Sequence, residues 1–159
     1  MIEMKVNGLA IDSTSRMPVV ILTDMEEKRF LPIWIGVYEA DAILVALEEI
    51  AVPRPMTHDL IKSIFQTLKI SVDRVVIHDI KNNTFFARIN INKDGAGFEI
   101  DSRPSDAIAL ALRLECAIFV SESVIMEATI MDKEKYEKEM QEFKEFLKDV
   151  KPSDFSNYK

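Results

Sequence analysis

The run Ala107-Ile108-Ala109-Leu110-Ala111-Leu112 constrains this chain more than any other stretch. It is apolar on every side, and Ser102-Arg103-Pro104 just before it reads as a helix entry. A helix from Ser105 to Glu115 with no polar face must be enclosed by other elements. The chain therefore needs a sheet and further helices to bury it.

The remaining sequence supplies both. Met4, Val6, Leu9 and Ile11 alternate with polar neighbours, and Asp12-Ser13-Thr14-Ser15 forms a turn cluster. Val19 to Leu22 reads as a buried strand, Asp24 to Lys28 as a charged hairpin loop, and Phe30 to Ile35 as a third strand. Pro32 places that strand at an edge or a bulge. The period then becomes helical: Ala42, Ile43, Ala46, Leu47 and Ile50 share one face until Val52-Pro53-Arg54-Pro55 stops the helix. Thr57 is a suitable N-cap for the next helix, with Asp59 in its first turn and Leu60, Ile61, Ile64, Phe65 and Leu68 as its expected buried stripe. Strands resume at Ile70, with turns at Lys81-Asn82-Asn83 and Asn92-Lys93-Asp94-Gly95, and a short strand follows at Ala117 to Val120.

The expected fold is α+β, with a mixed, largely antiparallel sheet in the order three strands, two helices, three strands, helix, strand, helix. One compact domain spans 1–130, and 131–159 forms a C-terminal amphipathic helix with a short tail. In that helix Tyr136, Met140, Phe143, Leu147 and Val150 make an apolar seam among alternating acids and lysines, with Glu134 and Lys138 as an i,i+4 pair. An isolated helix of this length is marginal in water, so the seam needs its own domain or another copy. A two-fold homodimer is the simpler expectation.

A chain of 159 residues with 48% hydrophobic and 30% charged residues suits one packed domain and excludes a disordered or low-complexity protein. Cys116 is the single cysteine, so no internal disulfide and no Cys/His zinc framework can form. A net charge of −7 disfavours non-specific nucleic-acid binding through a broad basic face, but leaves room for a local arginine cluster. The N-terminus lacks a signal-peptide pattern, and no apolar run is long enough to span a membrane, so a cytoplasmic protein is expected. Abundant Lys and Glu with scarce Gln fit a thermophile.

Two segments concentrate chemistry at helix starts. One is Arg54-Pro55-Met56-Thr57-His58-Asp59-Leu60; the other is Asp101-Ser102-Arg103-Pro104-Ser105-Asp106, running on to Arg113. Each places carboxylates, hydroxyls and an arginine around free helix N–H groups, an arrangement that holds anions. Thr57, Ser102 and Ser105 are equally ordinary caps, and Asp59 and Asp106 ordinary first-turn acids. The residues alone leave both readings open. His58 has the side chain best suited to general-base work near neutral pH. His78, in a strand, reads as packing or surface; Glu39, Asp41 and Glu122 are carboxylates with no assigned neighbours. Phosphate loops, HExxH, a GxSxG elbow and an EF-hand pattern are all absent from the sequence.

RPMTHDL at 54–60 and DSRPSDAIALALR at 101–113 resemble the paired signature of the bifunctional nuclease (BFN) domain family, with LPIWIG at 31–36 in matching order. The resemblance covers roughly residues 1 to 130 and implies a compact mixed α+β fold that cleaves DNA and RNA. Many members carry a further UVR-type helical module; the tail after Ala128 is shorter than such a module. For phosphodiester hydrolysis the residues themselves offer His58 as base, with Asp59 and Asp106 beside it as the expected catalytic set. Arg54 and Arg103 would clamp phosphate, while Thr57 and Ser105 add hydroxyl contacts. Asp59, Asp101 and Asp106 are the expected ligands for Mg²⁺ or Mn²⁺. The competing expectation is a non-catalytic oligomeric or anion-binding module whose two motifs are structural caps.

Overall fold

The protein is described from a computed structural model over residues 1–128, 140–142 and 145. Three strands open the chain, β1 (Ile2–Ile11), β2 (Pro18–Asp24) and β3 (Phe30–Trp34), followed by α1 (Val37–Leu47) and α2 (Thr57–Thr67). A second set follows, β4 (Ser71–Lys81), β5 (Thr84–Lys93) and β6 (Ala96–Ser102). The order then runs through α3 (Pro104–Leu114), β7 (Ala117–Val120) and α4 (Glu122–Glu127). The seven strands make one sheet in the order β3-β2-β1-β7-β4-β5-β6. Every neighbouring pair is antiparallel except β4 and β7, which run parallel. Passage through α3 carries the chain from the edge strand β6 back to the sheet centre, where β7 joins the two three-stranded halves.

The period-2 pattern decides what each face buries. Val20, Leu22, Leu31, Ile33, Val75, Ile77, Ala87 and Ile89 face the helical layer and form the main core with α3. Alternate residues Ala10, Val19, Ile21 and Phe30 make a second cluster, against which Met140 packs. That contact docks one residue of the predicted C-terminal seam on the chain's own sheet. Other seam residues, and the predicted helix 132–151 as a unit, lie outside the described residues. Pro32 sits on β3, an edge strand, where a missing N–H donor costs no ladder bond.

The all-apolar helix is enclosed as its composition requires. Ala107, Ile108 and Ala109 have no exposed surface, and α3 packs on β4, β5 and β7 and between α1 and α2. Burial of a side chain such as Ile108 or Leu110 contributes about 1.5–3 kcal/mol. Pro104 stands at the first position, where its missing N–H is harmless, and Glu115 closes the helix in left-handed geometry at φ 54°.

Four expectations need correcting. Met56, not Thr57, is the cap residue of α2, because Asp59 reaches back to accept the Met56 N–H and Thr57 enters the first turn. The α2 stripe is narrower than predicted: Ile61 and Phe65 reach the core, while Leu60, Ile64 and Leu68 are exposed. A helix packed mainly on one neighbour, α3, has no second surface to cover a wider face. Helix α1 ends at Leu47, leaving Ile50 exposed beyond it. Finally, α4 follows β7 directly, a short helix whose six residues are too few for periodicity to reveal.

Candidate active site at two helix starts

The first turn of α2 contributes Thr57, His58 and Asp59; that of α3 contributes Pro104, Ser105 and Asp106. Packing of α2 on α3 brings these starts together across 48 residues, with His58 Nε2 3.0 Å from Asp106 Oδ1. His58 is only 8% exposed. Arg103 grips the same carboxylate twice, donating from Nε to Oδ2 at 2.7 Å and from Nη2 to Oδ1 at 3.1 Å. Its Nη1 donates to Glu39 Oε1 at 2.8 Å, which ties in α1. The Glu39 carboxylate lies over Gly36, where a Cβ would clash with it, so the glycine makes room for this contact.

The surroundings of Asp106 favour its ionised form. Burial works to raise the Asp106 pKa, but hydrogen bonds from Arg103 and His58 outweigh it and hold the carboxyl below its ordinary value. Glu39 is lowered too, by its own backbone N–H and then by Arg103. Asp106 first, and Glu39 second, drive the Arg103 guanidinium further toward its charged form. An ionised Asp106 can only accept, so His58 Nε2 is the donor of this bond, and in the neutral imidazole the lone pair is then on Nδ1. Nδ1 has no hydrogen-bond partner among the described residues and is not sealed from solvent. A cavity of about 320 Å³ opens here, lined by His58, Asp106, Arg103, Glu39, Tyr38 and Thr57 among others. Three of Arg103's five N–H groups are committed to carboxylates, which leaves two to meet an anion.

The other expected site residues are placed differently. Asp59 Oδ1 accepts from Arg113 Nε at 2.7 Å and Oδ2 from the Met56 N–H at 2.9 Å; that N–H, then Arg113, lowers its pKa. Ser105 is buried and lines an adjoining cavity rather than the His58 one. Arg54 is exposed, makes no ion pair among the described residues and lines neither cavity. Asp101 is exposed on β6 opposite Arg88. Asp59, Asp101 and Asp106 do not form a ligand cage: among the described residues no three His, Cys, Asp or Glu side chains gather to hold a metal ion. The oxygens of Asp59 and Asp106 are already engaged by Arg113, Arg103, His58 and a backbone N–H.

Two contributors were named in the sequence without a partner or a role. Glu39 comes from α1, 64 residues before Arg103, and nothing in its local sequence points to that partner. Arg113 was legible only as the end of a motif. A charge on an otherwise buried helix is itself a signal, since such a group must be paired. Arg113 is 6% exposed; Nη1 donates to the Ala42 and Ala109 carbonyls, and its own carbonyl accepts from Lys62 Nζ at 2.8 Å. The Arg113 cluster thus fastens α3 to both of its neighbouring helices, α1 through Ala42 and α2 through Asp59 and Lys62. His78 is on β4 with Nε2 buried and unpartnered among the described residues, and burial, then Arg88, lowers its pKa.

Residues 20–133 match the family model of the bifunctional nuclease domain, a span that contains both motifs. An uncharacterized protein of Mycobacterium tuberculosis is 37% identical over 162 residues, covering 96% of this chain and 97% of its own length. Bifunctional nuclease 1 of Oryza sativa subsp. japonica is 27% identical over 116 residues, which is 71% of this chain and 35% of the rice protein. No helix among the described residues is long and apolar enough to cross a membrane. The matched span, with the two motifs inside it, shows that this chain belongs to the bifunctional nuclease domain family.

Proposed function

We propose that the chain hydrolyses phosphodiester bonds in DNA and RNA at the His58 cavity. The observation that carries this reading is the 3.0 Å contact between His58 and ionised Asp106 at a cavity that also presents Arg103. Asp106 holds the imidazole in the tautomer that leaves Nδ1 as the base. Nδ1 takes a proton from water as that oxygen bonds to phosphorus. The opposite P–O bond breaks, and the leaving oxygen takes a proton from solvent. The two uncommitted Arg103 N–H groups neutralise charge on the phosphoryl oxygens. Tyr38 and Thr57 border the same space and supply hydroxyls for positioning.

Mg²⁺ or Mn²⁺ is a separate proposal without an assigned ligand set, and no step is routed through it. Excess EDTA tests it: cleavage that survives removes the ion from the reading. The decisive assay follows cleavage of single-stranded DNA and RNA by extensively purified protein. His58→Ala and Asp106→Asn are each expected to lower kcat by about 10²–10⁴ while the fold persists by circular dichroism. Undiminished cleavage by both variants would mean that the activity belongs to another site or a contaminant.

A two-fold homodimer is also part of this reading. Its support is the exposed stripe Leu60, Ile64 and Leu68 on α2, with Phe98 and Ile100 exposed on the edge strand β6.

A further inference from the structure

We infer that the substrate strand is single-stranded at the site, with bases stacked on Trp34 and Tyr38 to either side of a phosphate held by Arg103. For its substrate class the inference rests on the phosphodiester reading above; its binding arm is measured independently of cleavage.

The His58 cavity does not end at Arg103. A second cavity of about 310 Å³ adjoins it, and Arg103 and Glu39 line both. Each volume is at the small end of ligand pockets, which run roughly 300–1,000 Å³, so the pair suits successive nucleotide units of one strand. The second cavity is also lined by Trp34, Asn83, Phe85 and Ser105. The two cavities thus share Arg103, with Tyr38 in the lining of one and Trp34 in the lining of the other.

Both aromatic residues are unusually open. Tyr38 is 88% exposed and Trp34 is 47% exposed, although burying a large aromatic side chain is strongly favourable. Trp34 is nevertheless held still. Its indole N–H donates to Asp12 Oδ2 at 2.9 Å. Asp12 is itself fixed by the Thr14 N–H and the Ser15 hydroxyl, at 3.0 and 2.8 Å. A ring anchored by its polar edge with much of its surface in solvent is a prepared stacking platform, because little freedom remains to be lost on binding. Beside it Asn83 sits in left-handed geometry at φ 60°, on the tip of the β4–β5 hairpin. Its side-chain amide has no partner among the described residues and offers a donor and an acceptor to a base edge.

A duplex cannot use such platforms without unstacking its bases, which costs a few kcal/mol for each base extruded. A single strand already has free base faces. Charge points the same way. Among the described residues Arg103 is the only arginine or lysine lining the two cavities, whereas Glu39, Asp41 and Asp106 line them as acids. Binding here has to be led by stacking, with about one phosphate neutralised.

Trp34 is the single tryptophan of the chain, so the protein's tryptophan fluorescence reports its surroundings alone. Full-length wild type and the His58→Ala variant are titrated with a short single-stranded DNA and with the same sequence as a duplex. Saturable quenching by the single strand is expected, with at least tenfold weaker binding of the duplex. Affinity should fall with salt at a slope of about −0.7 in log–log form, the value for one phosphate on a single strand. By anisotropy of a labelled strand, Trp34→Leu and Tyr38→Ala should each weaken binding between about 5-fold and 150-fold. Trp34→Phe should recover part of the loss, and Tyr38→Ala changes a side chain too exposed to threaten the fold.

Equal affinity for duplex and single strand would overturn the inference, as would unchanged affinity in both truncating variants. Wild type that cleaves DNA without any Trp34 response also overturns it, yet keeps the hydrolase reading. Wild type that binds and quenches without cleaving keeps the groove and ends the hydrolase reading.

Discussion

Arg113 carries a positive charge into the helical layer, and its partner Asp59 keeps it there. At 6% side-chain exposure, Arg113 cannot recover solvation if Asp59 is lost. Asp59→Ala is expected to destabilise by about 2–3 kcal/mol, below the full cost of breaking a buried pair because Asp59 itself is partly hydrated. Urea denaturation checks this; an unchanged midpoint would remove the pair from the stability account. The same groups set the acid limit. Asp59 and Asp106 fall below 3.8 on folding and Glu39 below 4.5, so each stabilises the fold above its unfolded value. That contribution disappears as pH falls through the lowered values. Thermal midpoints should decline gently below about pH 6.5, where His78 takes a proton more readily in the unfolded chain than when buried, and drop further below about pH 4 as the carboxylates protonate. Asp59→Asn should show a shallower acid decline than wild type.

Among the elements, α3 does the most and is the most legible. An all-apolar helix admits one environment, and Ala107, Ala109 and Ala111 let strands and helices approach it closely. Its end is less comfortable, since Glu115 adopts left-handed backbone at φ 54°. Glu115→Gly should stabilise by about 1 kcal/mol, raising the thermal midpoint by roughly 2–4 °C without altering cleavage. A lower midpoint would show that the Glu115 side chain matters more than its backbone. The α2 pattern was read correctly as helical and incorrectly as to breadth. Periodicity reports which residues share a face, but the neighbours decide how much of that face is covered.

At the scale of the whole molecule, the α2 region and the edge strand β6 each expose apolar side chains. Met140 is placed on the chain's own sheet, so the dimer expectation rests on Leu60, Ile64, Leu68, Phe98 and Ile100. Light scattering at tens of micromolar protein is expected to give twice the chain mass of 18.2 kDa, and Ile64→Glu to halve it. A monomer mass for wild type would dismiss the dimer. The sheet also explains why a central strand as short as β7 suffices. With β1 on one side and β4 on the other, all four of its residues pair with β4 and three of them also with β1.

Local patterning was enough for the strand and helix order through β7, the burial of α3, the edge position of Pro32 and the two helix-start motifs. Each follows from the period of apolar residues or from the backbone limits of proline, which act over a few residues. Tertiary structure alone decided the partners. It set His58 on Asp106 and Arg103 on Glu39, and it turned Asp59 toward Arg113, away from the cavity. It also left Arg54 and Asp101 outside the cluster. A carboxylate at a helix start has the same local reasons to be there whichever cation it meets. Its partner depends on how α1, α2 and α3 cross over the sheet, and packing of side chains far apart in the chain sets that crossing.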